Sequence, residues 1–129
     1  MRKIVLSLLV AVCLTACFEG PSKEEQAINA AKGYYDRLIQ GDYESFLAGK
    51  YGSDSLPDEY REQLLTAYKQ FLFRQQEEHH GLREVRPMRA INDTLRHEMD
   101  AFLVLCFGDS TREEIVVPMV EHQGKWLMR

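Results

Sequence analysis

Apolar residues recur with two different periods along this chain, and the change of period divides it in half. Ala27, Ile28, Ala31, Tyr34, Tyr35, Leu38 and Ile39 follow one another at three- and four-residue steps, which predicts one face of an amphipathic helix. Ser22 with Glu25 three residues on fits a capping box at its start, and Gly41 supplies its stop. Gly33 inside this helix costs ~1 kcal/mol relative to Ala, so close packing against a neighbour is its expected role. Asp42 is placed to cap a short second helix, Tyr43 to Ala48, that buries Phe46 and Leu47. Gly49 to Leu56 is polar and reads as a loop. Ser55, Pro57 and Asp58 then supply a cap, an early proline and an early acid for a third helix. Its apolar face is Tyr60, Leu64, Ala67, Tyr68, Phe71 and Leu72. It fades through His79 and His80 and stops at Gly81. Two adjacent histidines project in different directions from a helix, so a solvated pair at the negative helix end is expected rather than a metal site.

From Leu82 onward the period is two. Leu82 to Asn92 predicts a first strand, interrupted by Arg83, Arg86, Pro87 and Arg89. Asn92-Asp93 turns it, Leu95 to Phe107 is a long second strand, Gly108-Asp109-Ser110 turns again, and Arg112 to His122 is a third. Gln123-Gly124 leads to a last strand, Lys125 to Arg129. Tight turns with no crossover helix predict an antiparallel meander, so the fold class is α+β: N-terminal helices packed on a curved antiparallel β-sheet. Alternation sorts the second strand into His97, Met99, Ala101, Leu103, Leu105, Phe107 on one face and Glu98, Asp100, Phe102, Val104, Cys106 on the other. Both faces are apolar in their middle. Pro118 in the third strand donates no ladder hydrogen bond and marks an edge or a bulge.

The first 17 residues have neither pattern. Met1-Arg2-Lys3 is basic, Ile4 to Leu14 is apolar but for Ser7, and a run this short falls below the ~20 residues of a spanning helix. It ends in Leu14-Thr15-Ala16-Cys17, which resembles the lipobox of bacterial lipoproteins. The resemblance implies a signal peptide over 1–16, a diacylglycerol thioether on Cys17, a lipidated tether over 17–22 and a single domain over 23–129. It also implies a membrane anchor in the cell envelope. Phe18, in place of an Asp that retains some lipoproteins at the inner membrane, leans toward the outer membrane, facing the periplasm or the surface. Lys23-Glu24-Glu25 faintly resembles a surface-export tag, but it also suits the first turn of a helix.

Composition narrows the function classes. The chain has 129 residues, 16 Lys+Arg against 20 Asp+Glu, 45% apolar and 28% charged residues. That is one globular domain, acidic overall, and nucleic acid is not an expected partner. Cleavage ahead of Cys17 removes Arg2 and Lys3 and makes the remainder more acidic still, so charge does not draw the domain onto an anionic bilayer. Of the three cysteines, Cys13 leaves with the signal and Cys17 takes the lipid. Cys106 is left without an intramolecular partner, as a buried thiol in an apolar run.

The segments Ala30 to Ala48 (AAKGYYDRLIQGDYESFLA) and Arg112 to Met128 (REEIVVPMVEHQGKWLM) resemble the nuclear transport factor 2-like superfamily of cone-shaped, cystatin-like domains. In particular they resemble small lipoproteins of that group with no assigned function. The resemblance implies a pocket inside the cone, lined by Tyr34, Tyr35, Leu38, Tyr68, Phe71, His97, Met99 and Trp126. It also implies a homodimer through the sheet face. Enzymes of the superfamily use a buried Asp or His base with a Tyr or a protonated Asp. Here Asp100 and His97 are three apart, face opposite sides of a strand and make no direct dyad. No nucleophile elbow, zinc helix or phosphate loop is present, and no cofactor is expected. The leading expectation is therefore a non-catalytic domain that binds a small apolar ligand or a peptide. A small isomerase or dehydratase and an assembly module acting through the sheet face are the alternatives. An open cavity favours binding, and a cone filled by its own side chains favours assembly.

Overall fold

The computed structural model describes residues 20–129. The expected signal segment 1–16, Cys13 and the lipidation of Cys17 lie outside the described residues, as does the first half of the tether, 17–19. Helix α1 spans Lys23–Ile39, α2 Tyr43–Ala48 and α3 Asp58–His79, with one 3-10 turn at Ser53–Ser55. Strands β1 (Leu82–Asp93), β2 (Glu98–Phe107), β3 (Arg112–His122) and β4 (Lys125–Met128) form one antiparallel sheet in the order β1-β2-β3-β4. No helix among the described residues is long and apolar enough to cross a membrane.

The capping box at α1 is formed: the Ser22 hydroxyl accepts from Glu25 N at 3.1 Å, and Glu25 Oε1 accepts from Ser22 N at 3.3 Å. Asp42 caps α2 by accepting from Ser45 N at 3.1 Å. The start of α3 differs from expectation. Ser55 closes the 3-10 turn, and Pro57 becomes the N-cap with no side-chain bond. Proline fixes the extended φ that this cap position needs, so the helix starts one turn past the serine. At the other end His80 takes the left-handed cap conformation, φ 61°.

Alanines bring α1 onto the sheet. Ala27 and Ala31 are fully buried, and a residue without side-chain bulk lets the helix backbone approach closely. Beneath it, Met99, Ala101, Leu103, Leu105 and Phe107 of β2, Val85 of β1, Val117 and Met119 of β3 and Met128 of β4 make a continuous core with Leu38 and Phe46. Gly33 does not serve close packing: a Cβ built there meets nothing within 4 Å.

Two register shifts in β1, at Leu82/Glu84 and Pro87/Arg89, absorb the arginines and the proline that interrupt its alternation. Pro118 pairs with Asp100 inside β3, and its carbonyl accepts from Arg129 N at 2.8 Å. Its ring nitrogen therefore points to the same side, beyond the end of β4, where no ladder acceptor is needed. Strand β2 begins at Glu98, not Leu95. Thr94 to His97 form the β1–β2 turn, where Asp93 Oδ1 accepts from Arg96 N at 3.2 Å and His97 has φ 56°. An Asp that bonds its own downstream backbone stabilises such a turn better than ladder pairing would.

Candidate functional site

The interior that a cone pocket would occupy is filled. Leu47, Leu103, Met119, Met128 and Val85 are the largest side chains wholly removed from solvent, and they occupy the space between helices and sheet. The expected lining residues are accordingly dispersed. Leu38 is core. Tyr34 runs under the α2–3-10 segment, and its hydroxyl donates to Trp126 O at 2.6 Å. Its ring occupies the place that a Gly49 side chain would need. Tyr35 meets Phe46 edge-on with ring centroids 5.1 Å apart, and Phe71 packs half-buried against the core. Burial raises the pKa of Tyr34 and of Tyr35, Arg37 opposing the rise at Tyr34 and Tyr68 adding to it at Tyr35.

His97, Met99 and Trp126 do come together. They line a shallow cleft of ≈ 360 Å³ at the start of α1, with Lys23, Glu24, Glu121 and Glu98. The Trp126 indole N–H donates to Gln26 Oε1 at 3.2 Å, and Lys23 Nζ pairs with Glu121 Oε1 at 2.6 Å. His97 is exposed on the turn and has no hydrogen-bond partner among the described residues, so it is not held in the orientation a general base needs.

Beside this cleft the carboxylates of Asp93, Glu98 and Asp100 lie within 4.8 Å of one another. Among the described residues they are the one group close enough to share a cation. Glu98, with its side chain only 4% exposed, already has a counter-ion: Arg129 Nη1 donates to Glu98 Oε1 at 3.1 Å.

Tyr68 belongs to a different cleft, which sequence patterning did not single out. Helix α3 has 22 residues and none of them is buried. Its middle packs on the core through Tyr68, Phe71 and Leu72, and polar contacts hold its ends. Near its start Arg61 Nη2 pairs with Glu44 Oε2 of α2 at 2.7 Å. At its end His79 Nδ1 lies 2.9 Å from Asp109 Oδ2 on the β2–β3 turn, and Asp109 N donates to His79 O at 3.0 Å. In its first half the helix does not close against residues 50–56. It leaves a cleft of ≈ 400 Å³ lined by Leu47, Lys50, Tyr51, Leu56, Tyr60, Leu64 and Tyr68, with Gly52 and Ser53. Its far wall is held in place by main-chain pairing. Met128 N donates to Gly49 O at 2.8 Å and Tyr51 N donates to Met128 O at 2.7 Å, so residues 49–51 run along the free edge of β4.

Two half-buried side chains in this cleft, Tyr68 and Lys50, lack polar partners among the described residues. The Tyr68 ring stands edge-on to Phe46 with centroids 5.0 Å apart, and its hydroxyl oxygen is buried with no hydrogen-bond partner among the described residues. Lys50 Nζ lies 5.3 Å from the centre of the same Phe46 ring, and no carboxylate of the described residues pairs with it. Burial lowers the Lys50 pKa, and burial followed by the neighbouring Tyr60 raises that of Tyr68. An apolar wall carrying one under-solvated cation and one idle donor is the usual make-up of a small-ligand site.

Among the described residues nothing covers the outer sheet face. Phe102 and Val104 are half-buried there, Val116 is exposed, and the Arg89 guanidinium carbon sits 4.2 Å from the Phe102 ring centre.

No protein-family model and no curated protein sequence matches the chain. One solved structure is similar to it. This is the crystal structure of a Campylobacter jejuni protein whose naming as an NTF2-like transpeptidase is provisional. It has a TM-score of 0.60 and 16% identity, over 78% of this chain and 94% of that one. At that identity the likeness establishes the fold, which is nuclear transport factor 2-like, as the helix-then-meander order and the sheet topology also indicate.

Proposed function

We propose that this chain is a lipid-anchored envelope protein whose nuclear transport factor 2-like domain binds a small, largely apolar ligand without transforming it. The binding half of the proposal rests on one observation: the cleft between residues 49–56 and α3, walled by Leu47, Leu56, Leu64 and three tyrosines. The buried side chains of the interior count toward the assembly alternative, and binding is supported instead by this separate cleft on the flank of the domain. The anchoring half rests on Leu14-Thr15-Ala16-Cys17, a lipobox-like end to a short apolar run. Two or three acyl chains give a stable anchor, since each buried methylene contributes ~0.8 kcal/mol. A tether a few residues long before Lys23 then holds the domain at the bilayer surface, outer membrane included.

The catalytic alternative draws less support. His97 and Asp100 are at the β1–β2 end of the sheet, and His97 is exposed without a partner that would orient it.

One pair of experiments tests both halves. Cys17→Ser is expected to move the protein out of the membrane fraction, and unchanged fractionation would refute the anchor. A thermal-shift screen is expected to find stabilisation by apolar or aromatic small molecules. Leu64→Glu, which fills the cleft and gives it a negative charge, should abolish that stabilisation. Hits that survive Leu64→Glu would refute the cleft as the site.

A further inference from the structure

The cleft described above has a chemical polarity that its apolar walls do not explain. Among the described residues Lys50 is the only cation lining it, and it lacks the carboxylate partner that Lys23 and Lys32 have elsewhere on the surface, at 2.6 and 2.8 Å. Lys50 is half-buried with its ammonium against the Phe46 ring and without a carboxylate. A cation removed from water and left unpaired gains more from an incoming anion than a solvated one does. Tyr68 reaches the same Phe46 ring from α3, and its hydroxyl is buried and unbonded among the described residues. A buried donor without an acceptor is a cost that an acceptor atom on a ligand removes.

A third observation has the same sign. Residues 50–53 form the wall between this cleft and a neighbouring one of ≈ 630 Å³. The second cleft carries Lys50 and Lys125 against the single carboxylate of Asp54. The chain as a whole has net charge −4. A local excess of positive groups beside segment 50–53, on an acidic protein, focuses anions toward this flank.

We propose that the ligand of this cleft is a small carboxylic acid with an apolar body. Lys50 supplies the counter-charge, and Leu47, Leu56, Leu64, Tyr51 and Tyr60 pack on the body. Tyr68, whose hydroxyl is closed off from solvent in the empty cleft, turns toward the ligand on binding and donates a hydrogen bond to a carboxylate oxygen. This deepens the binding function proposed above and depends on it. The idle hydroxyl and the unpaired ammonium become partners of one group, which accounts for both being kept in an otherwise apolar wall. Tyr68 and Lys50 are carried by different elements, α3 and the segment after α2. A carboxylate bridging them therefore also ties α3 to the rest of the domain.

The test compares two probes of equal shape, 3-phenylpropionate and 3-phenylpropionamide. Each is titrated into the full chain and followed by leucine-methyl NMR. The carboxylate is expected to shift the Leu47, Leu56 and Leu64 signals, leave the core signals of Leu103 and Leu105 unmoved, and bind about tenfold more tightly than the amide. Lys50→Met is expected to erase that preference while Lys50→Arg keeps it, and Tyr68→Phe to weaken the carboxylate several-fold. Equal binding of the two probes would overturn the carboxylate assignment and leave the apolar cleft standing. Failure of both probes to move those three signals would overturn the cleft itself. The comparison of probes on the unaltered chain decides the matter even if a variant fails to fold.

Discussion

Two glycines in the first half of the chain have opposite roles although sequence context treats them alike. Gly49 is buried, and a Cβ there would fall inside the Tyr34 ring, which is itself pinned by its hydroxyl to Trp126 O. Gly33 has open space around its Cα and an ordinary helical backbone. Gly49→Ala is therefore expected to destabilise by about 1–3 kcal/mol, the usual cost of overpacking. Gly33→Ala should stabilise by about 0.5–1 kcal/mol through helix propensity. Denaturant unfolding of both variants checks the pair, and effects of equal sign would contradict it. Asp109 offers a second residue-scale test. Hydrogen bonds from the Thr111 side chain, from His79 and from Thr111 N hold its carboxyl well below the usual carboxylate range. A depressed carboxyl contributes stability that is present above its unfolded pKa, about 4, and is lost as pH falls through the folded value. Asp109→Asn should therefore unfold more readily than the unaltered chain at neutral pH and show a flatter loss of stability between about pH 5 and pH 3. Parallel acid limbs would contradict the assignment. Neither residue was readable from the sequence in this role. Gly33 is marked by sitting inside a helical pattern, whereas the tertiary contact that gives Gly49 its importance comes from Tyr34, a residue on another element.

At the scale of elements, the strongest amphipathic pattern and the most buried helix coincide, but the longest helix is a different case. Helix α1 follows its period closely, with Ala27, Ala31 and Leu38 buried and its capping box closed. Helix α3 also has an apolar stripe, Leu64, Tyr68, Phe71 and Leu72, yet none of it is fully buried, and Phe73 is 65% exposed. Periodicity reports which face would be buried, not whether a partner surface is there to meet it. The strands show the complementary lesson. Alternation located the inner face of β2 from Met99 to Phe107. It overran the start because Asp93 bonds Arg96 N and makes a turn of residues that continue the alternating pattern. With none of its residues fully buried, α3 is expected to exchange its amides faster than α1 and β2 do. A bound ligand should slow that exchange. Hydrogen–deuterium exchange by mass spectrometry reads both effects, and protection of α3 equal to that of α1 would contradict its loose attachment.

For the whole molecule, the arrangement of helices before a meander was legible because each rests on local signals: caps, turn residues and the change from a period near 3.6 to a period of two. The site was legible only in part. Among the expected pocket residues, Tyr68 lines the cleft of interest, and His97, Met99 and Trp126 line another. Lys50 lies in a segment that reads as loop. What makes it notable, burial without a carboxylate, depends on α3 and on β4 meeting residues 49–56 in space. An apolar outer sheet face was equally legible, and Val116, Phe102 and Val104 occupy it, uncovered among the described residues.

The central claim is that the domain carries a small carboxylic acid at the flank of α3. Native mass spectrometry of the protein isolated from its own host tests it most directly. The account predicts that the folded chain retains an added mass of a few hundred daltons or less, identified on release as an organic acid. It predicts that this mass is absent from a Lys50→Met, Tyr68→Phe double variant that folds normally. An unaltered chain that flies empty, or one that carries a mass the double variant retains, would contradict it.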